Sequence, residues 1–124
     1  MSRVYYNKLI RDGIKDKIEN KGEVCEVREI TAEAEFQQEL FKKISEEADA
    51  LSHVRTRAEF LNEYADLMVV LDALTAQMGF SEADIQVAIE ENVKNKGFFN
   101  NRHFLNWSDD SEYESNETPQ GIRE

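Results

Sequence analysis

Residues 31–78 read TAEAEFQQELFKKISEEADALSHVRTRAEFLNEYADLMVVLDALTAQM, and the recurrence of apolar residues along this stretch decides the fold. A helix turns by about 100° per residue, so positions three, four and seven apart share a face. From Thr31 to Val54, the residues Phe36, Leu40, Ile44, Leu51 and Val54 form one stripe, and Phe41 is also expected to turn inward. From Thr56 to Met78, Leu67, Val70 and Leu74 share a side. The run Leu67 to Leu71 is apolar nearly all round, which predicts the most buried helix of the chain. Thr56 with Glu59 three residues on is a capping box, and Gly79 is a natural C-terminal stop. The short connection between the two segments favours an antiparallel pair.

Three acids interrupt this apolar pattern. Glu47 sits inside the first stripe, whereas Glu46 and Asp49 point away from it. Glu63 shares its side with Leu67, Val70 and Leu74, and Asp66 lies one step further round, beside Val70 and Ala73. In an antiparallel hairpin, Glu47 near the end of one helix faces Glu63 and Asp66 near the start of the other. A single acid in such a place is usually a boundary residue bonded to Lys or Arg. Three that converge repel one another, and a divalent cation resolves that repulsion.

Outward from the hairpin, Ile10, Ile14 and Ile18 recur at four-residue spacing and predict a first helix over Asn7 to Asn20, weakened by Gly13 and ended near Lys21-Gly22. The segment 23–30 contains VCEVREI, which alternates loosely and is rich in β-branched residues. It reads as a short strand or an extended connector, and a lone strand needs a partner, such as one from another subunit. Ser81 caps a fourth helix with Asp84 in its first turn, and Ile85, Ala88, Ile89 and Val93 form its stripe up to Gly97. After Leu105 the chain becomes NWSDDSEYESNETPQGIRE, acidic and poor in aliphatics, and is expected to be mostly disordered. The reading is therefore an all-α, four-helix bundle-like domain over residues 1–105 with an acidic tail over 106–124.

Composition excludes several function classes. The 124 residues make one domain of modest buried fraction. A formal net charge of −11 with no long basic run argues against nucleic acid or an anionic membrane as a general partner. A nucleotide bound through a metal stays compatible. No apolar run approaches the roughly 20 residues that cross a bilayer, no secretory apolar region follows Met1, and the single cysteine, Cys25, cannot form an intramolecular disulfide. A cytoplasmic location is the expectation. There is no repeat, glycine-rich phosphate loop, zinc spacing or nucleophile elbow. His53 and His103 are too few and too scattered for a histidine site, and His53 reads as a surface residue at a helix end.

Three segments together resemble one family. The opening YNKLIRDGIKDKIENKG at 6–22, the pair EEADA at 46–50 and EYAD at 63–66, and KNKGFFNNRHFL at 94–105 are similar, in order, to motifs of MazG-like, phosphoribosyl-ATP pyrophosphohydrolase-like proteins. That family's paired metal motifs are written E-E-x-x-E and E-x-x-D. The resemblance implies an all-α nucleoside triphosphate pyrophosphohydrolase, assembled as a homodimer or homotetramer. It would use Mg²⁺, with Mn²⁺ as an alternative, to convert a nucleoside triphosphate to a monophosphate and pyrophosphate in nucleotide-pool cleanup, or to act in the same way on a phosphoribosyl-nucleotide. It also implies Glu47, Glu63 and Asp66 as metal ligands, the same three acids that the helical faces single out. Two departures stand out. Ala50 occupies the position of the third acid of the first motif, and Gly13 and Lys15 replace an expected lysine and proline. Asp49 projects about 100° away from that position and cannot simply substitute.

On this reading the chemistry is metal-assisted hydrolysis of a phosphoanhydride. Glu46 is the candidate for orienting or deprotonating the water, on family position, with an ordinary exposed helix acid as the alternative. Lys8, Arg11, Lys94, Lys96 and Arg102 are candidates for phosphate contact, against the usual fate of such residues as solvated or ion-paired cations. Asp72 approaches a base or ribose, or else bonds an arginine across an interface. A base pocket would draw on Tyr5, Tyr6, Phe98, Phe99 or Phe104, each of which could equally be core, and Trp107 is a candidate tail anchor. Two further classes stay open: a catalytically weakened member that binds nucleotide or metal without turnover, and a structural bundle whose inward acids pair with cations such as Arg11 or Arg102.

Overall fold

The structure is a computed structural model that describes residues 2–117 and 119–124; Met1, and Thr118 within the expected tail, lie outside the described residues. Four helices follow in order: α1 (Ile14–Asn20), α2 (Glu33–Ser52), α3 (Arg57–Gln77) and α4 (Glu82–Lys96). Among the described residues there is no strand. The chain divides into two compact units, Met1–Gln86 and Val87–Glu124, with the division falling inside α4.

The hairpin of α2 and α3 organises the first unit. Their packing is antiparallel, because Gln77 at the end of α3 donates to Glu33 at the start of α2 at 3.3 Å, while Glu47 and Glu63 meet at the other end. Between these contacts lies the core of Leu40, Val70 and Leu74, flanked by Phe36, Ile44, Ala73 and, from the N-terminal segment, Leu9. The stripe read from sequence is thus the buried one, with one exception. Phe41, expected inward, is 50% exposed, since it lies one residue, about 100° of helical turn, past Leu40.

The ends of α3 follow from its sequence. The Glu59 N–H donates to Thr56 Oγ1 at 3.0 Å, and Glu59 Oε2 reaches back to accept from the Arg55 N–H at 2.6 Å, one residue before the cap itself. At the other end the Phe80 N–H returns to the Thr75 carbonyl and the Gly79 N–H to that of Ala76. This reversal requires a left-handed residue, and Gly79 supplies it at φ +82°. The middle of α3 is less buried than its composition predicts: Met68 and Val69 remain exposed. Within the first unit α2 covers one side of α3, and an all-round apolar helix leaves the other side bare.

Two other expectations are corrected, and a third resolves to one of its two readings. The first helix begins at Ile14 rather than Asn7, because Asn7 takes a positive φ of 47° and the turn through Gly13 separates residues 7–13 from the helix. It does end at Lys21-Gly22 as read, with Gly22 at φ +80°. The segment 23–30 forms no ladder; it is the extended connector of the two readings. In α4, Ser81 and Asp84 cap reciprocally, the Ser81 N–H donating to Asp84 Oδ2 at 2.9 Å and the Asp84 N–H to Ser81 Oγ at 3.1 Å. This backbone contact holds the Asp84 carboxyl below the usual carboxylate range. Of its stripe, Ile85 and Val93 are half-buried but Ile89 is exposed, so that stripe is not a core.

Candidate metal site on the α2–α3 hairpin

The antiparallel register that pairs Leu40 with Val70 also carries Glu47 to Glu63 and Asp66, one turn of α3 apart. Each of the three offers a carboxylate oxygen, and those oxygens all lie within 4.8 Å of one another. All three residues are half-buried, the Glu47 side chain at 15% exposure and that of Asp66 at 36%. Packing positions the site: the core of Leu40, Val70 and Leu74 joins the two helices, and the acids occupy the place where the stripe would otherwise continue.

Cations already surround two of these acids. Lys43 Nζ lies 3.6 Å from Glu47 Oε1 and 3.1 Å from Glu46 Oε2, and its side chain is only 12% exposed. Arg11 Nη1 lies 3.7 Å from Asp66 Oδ1. Among the described residues no cation sits on Glu63. Its carboxyl is raised above the usual range by partial burial first, then by the neighbouring charges of Asp66 and Glu47. Three hard oxygen donors that converge, with no cation on Glu63, fit a small divalent cation, for which carboxylates are the ordinary ligands. The fit concerns Glu47, Glu63 and Asp66; Ala50 has no donor to add, and Asp49 points to solvent, 78% exposed beside His53. Because α2 runs unbroken from Glu33 to Ser52, no register change brings Asp49 round.

Glu46 stands at the rim. Lys8 Nζ donates to its Oε1 at 2.8 Å and Lys43 to its Oε2, and these bonds, Lys8's foremost, hold the Glu46 carboxyl below the usual range and raise Lys8 in turn. So paired, Glu46 is a poor proton acceptor. Lys8 also lies over the Tyr6 ring at 5.7 Å. The N-terminal segment therefore reaches the site through two of the expected phosphate-binding residues, Lys8 and Arg11, with Leu9 anchoring it in the core between them.

The remaining candidates are placed elsewhere. Asp72 is on α3 but exposed and outside the acidic cluster. Lys94 and Lys96 are exposed in the last turn of α4, and Arg102 takes a positive φ of 56° in the loop that follows. Residues 96–103, including Phe98, Phe99 and His103, line an open depression in the second unit. Tyr5, Tyr6, Phe104 and Trp107 are largely exposed. The tail carries no helix or strand among its described residues, and within it Arg123 Nε donates to Asp110 Oδ2 at 2.8 Å. His53 is the exposed C-cap of α2, as read.

Lys43 is the residue that the sequence reading missed. Its signal was present, because a lysine three and four residues before Glu46 and Glu47 lies on their face of the helix. No helix among the described residues is long and apolar enough to cross a membrane. Comparison of the chain with protein-family models, with curated proteins and with solved structures finds no match.

Proposed function

We propose that the chain is a Mg²⁺-dependent nucleoside triphosphate pyrophosphohydrolase of MazG-like type. It would cleave the α–β phosphoanhydride with water to give a nucleoside monophosphate and pyrophosphate. The observation that carries this reading is the convergence of the Glu47, Glu63 and Asp66 oxygens within 4.8 Å of one another, at the positions that the resemblance marks as ligands. A divalent cation there would neutralise phosphate oxygens during in-line displacement. Glu47 from α2 and Glu63 and Asp66 from α3 would hold it from two sides. Lys8 and Arg11 lie beside the cluster and would meet the triphosphate. Glu46 would orient the water once Lys8 leaves it, because a carboxylate held by two lysines accepts a proton poorly. In the same reading the four helices complete a bundle by self-association, and Asp72 faces the sugar, the base or a second copy.

The decisive experiment is pyrophosphate release from a panel of ribo- and deoxyribonucleoside triphosphates, with and without Mg²⁺, beside Glu63→Gln and Ala50→Glu. Metal-dependent turnover by the parent chain that is lost in Glu63→Gln supports the enzyme. Turnover that appears only with Ala50→Glu points to a weakened member of the family. A structural role has one observation in its favour, the pairing of Arg11 with Asp66 and of Lys43 with Glu47. That role predicts silence from all variants and no Mg²⁺ effect on melting, whereas a bound ion raises Tm with concentration.

A further inference from the structure

Of the cations that touch the acidic cluster, Lys43 and Arg11 are tethered differently. Lys43 belongs to α2, is largely buried, and pairs with acids one turn along its own helix. Arg11 belongs to the N-terminal segment and crosses to α3 from outside regular structure; its side chain is 53% exposed and its contact with Asp66 is long, at 3.7 Å. Such a pair is weak and readily exchanged. Leu9, packed on the core, the neighbouring Lys8–Glu46 bond and the Ile14 N–H on the Arg11 carbonyl hold this part of the segment in place while leaving the Arg11 side chain exposed.

We infer that Arg11 is a displaceable counter-ion: it occupies Asp66 while the three carboxylates hold no metal, and a divalent cation releases it toward the phosphates of the incoming nucleotide. This rests on reading Glu47, Glu63 and Asp66 as a cation site. A carboxylate has only so much negative charge to share, so an ion drawing on Asp66 weakens its hold on the guanidinium. The freed guanidinium, still tethered near by through Leu9, is a planar donor suited to phosphate oxygens. Metal and nucleotide then assist each other, and by linkage the assistance is mutual. Competition also means that Arg11 lowers the affinity of the empty site for metal alone.

The test is the binding of Mn²⁺ alone to the full chain, followed by electron paramagnetic resonance, and then the same titration with a non-hydrolysable triphosphate analogue present. Arg11→Gln is expected to tighten Mn²⁺ binding by about two- to five-fold without nucleotide, the range that loss of an exposed pair allows. It should also shrink the enhancement that the analogue confers. Arg11→Lys keeps the charge and should stay near the parent. Lys15→Gln, which removes a charge from the same segment where it pairs with Glu19, should leave Mn²⁺ binding unchanged. Unchanged or weaker Mn²⁺ binding in Arg11→Gln, or equal tightening in Lys15→Gln, overturns the inference while the cation site stands. Absence of Mn²⁺ binding in both the parent and Arg11→Gln overturns the site itself and the inference with it.

Discussion

Of the three clustered acids, Glu63 is the one with no cation beside it among the described residues, and this has a consequence for stability. Its carboxyl is raised from the ordinary 4.5 by partial burial and by Asp66 and Glu47. For an acid shifted upward, the native state holds its proton more tightly than the unfolded chain does. Its favourable contribution is therefore present below the unfolded value and is lost as pH rises through the folded one. Glu63→Gln removes the disfavoured charge, so in metal-free buffer the variant should melt higher than the parent at neutral pH. The gain should fade below about pH 4, where both forms are neutral. Thermal melts in chelator across that range check this, and an equal gain at both ends would rule out charge as the cause. Added Mg²⁺ should reverse the order by stabilising the parent alone. Glu46 behaves oppositely, because Lys8 holds its carboxyl low, and the stability it contributes is lost as pH falls through that lowered value. The three clustered acids were legible in the sequence because helical periodicity alone fixes the face on which a residue lies. Arg11 was one of the cations offered as a partner for the inward acids, but that it would meet Asp66 within the same chain, and that Lys8 would meet Glu46, was not legible, since periodicity says nothing about where an irregular segment crosses a helix.

Helix ends were legible wherever side-chain chemistry decides them. Thr56, Ser81, Gly22 and Gly79 each act where the sequence places a cap or a stop, because an oxygen that accepts an orphan N–H, or a residue free to take positive φ, works through local contacts alone. Thr56→Ala should destabilise the first unit by about 1 kcal/mol, and Thr56→Ser by much less. Denaturant midpoints measured by circular dichroism separate the two; equal losses would show that the threonine methyl, rather than its Oγ1, matters. The start of the first helix was not legible. Ile10, Ile14 and Ile18 keep helical spacing across Gly13, yet residues 7–13 turn at Asn7 and spend Leu9, Lys8 and Arg11 on contacts with the hairpin. Here tertiary contacts override a periodic pattern. The segment 23–30 shows the complementary effect: β-branched composition marks it as extended, but a strand needs a partner that composition cannot supply.

At the scale of the whole chain, apolar surface and net charge pull in opposite directions. Among the described residues only the hydrophobics Leu40, Val70 and Leu74 are buried, while on α3 Phe60, Leu61, Tyr64 and Met68 recur at helical spacing and remain exposed, Leu61 at 67%. Phe60 and Tyr64 stack at 6.0 Å between ring centres, so this row presents a continuous apolar ridge. A ridge of that kind on a chain with so small a core gains from a second copy, as the proposed homo-oligomer requires. Against this, each copy carries a net charge of −11, so two copies repel through solvent. The balance is open to test by ionic strength. If the copies join through apolar surface, added salt screens the repulsion and leaves the attraction, so association should strengthen between about 0.05 M and 0.5 M salt. If ion pairs join them, it should weaken over the same range. Sedimentation velocity on the full chain reads the difference directly, and Tm should rise with protein concentration in the first case. Leu61→Lys places a charge on the ridge away from the acidic cluster, and should lower association at every salt concentration while leaving Mn²⁺ binding to the carboxylates intact. Association that persists in Leu61→Lys and falls with salt would assign the interface to charged residues and leave the α3 ridge without that role.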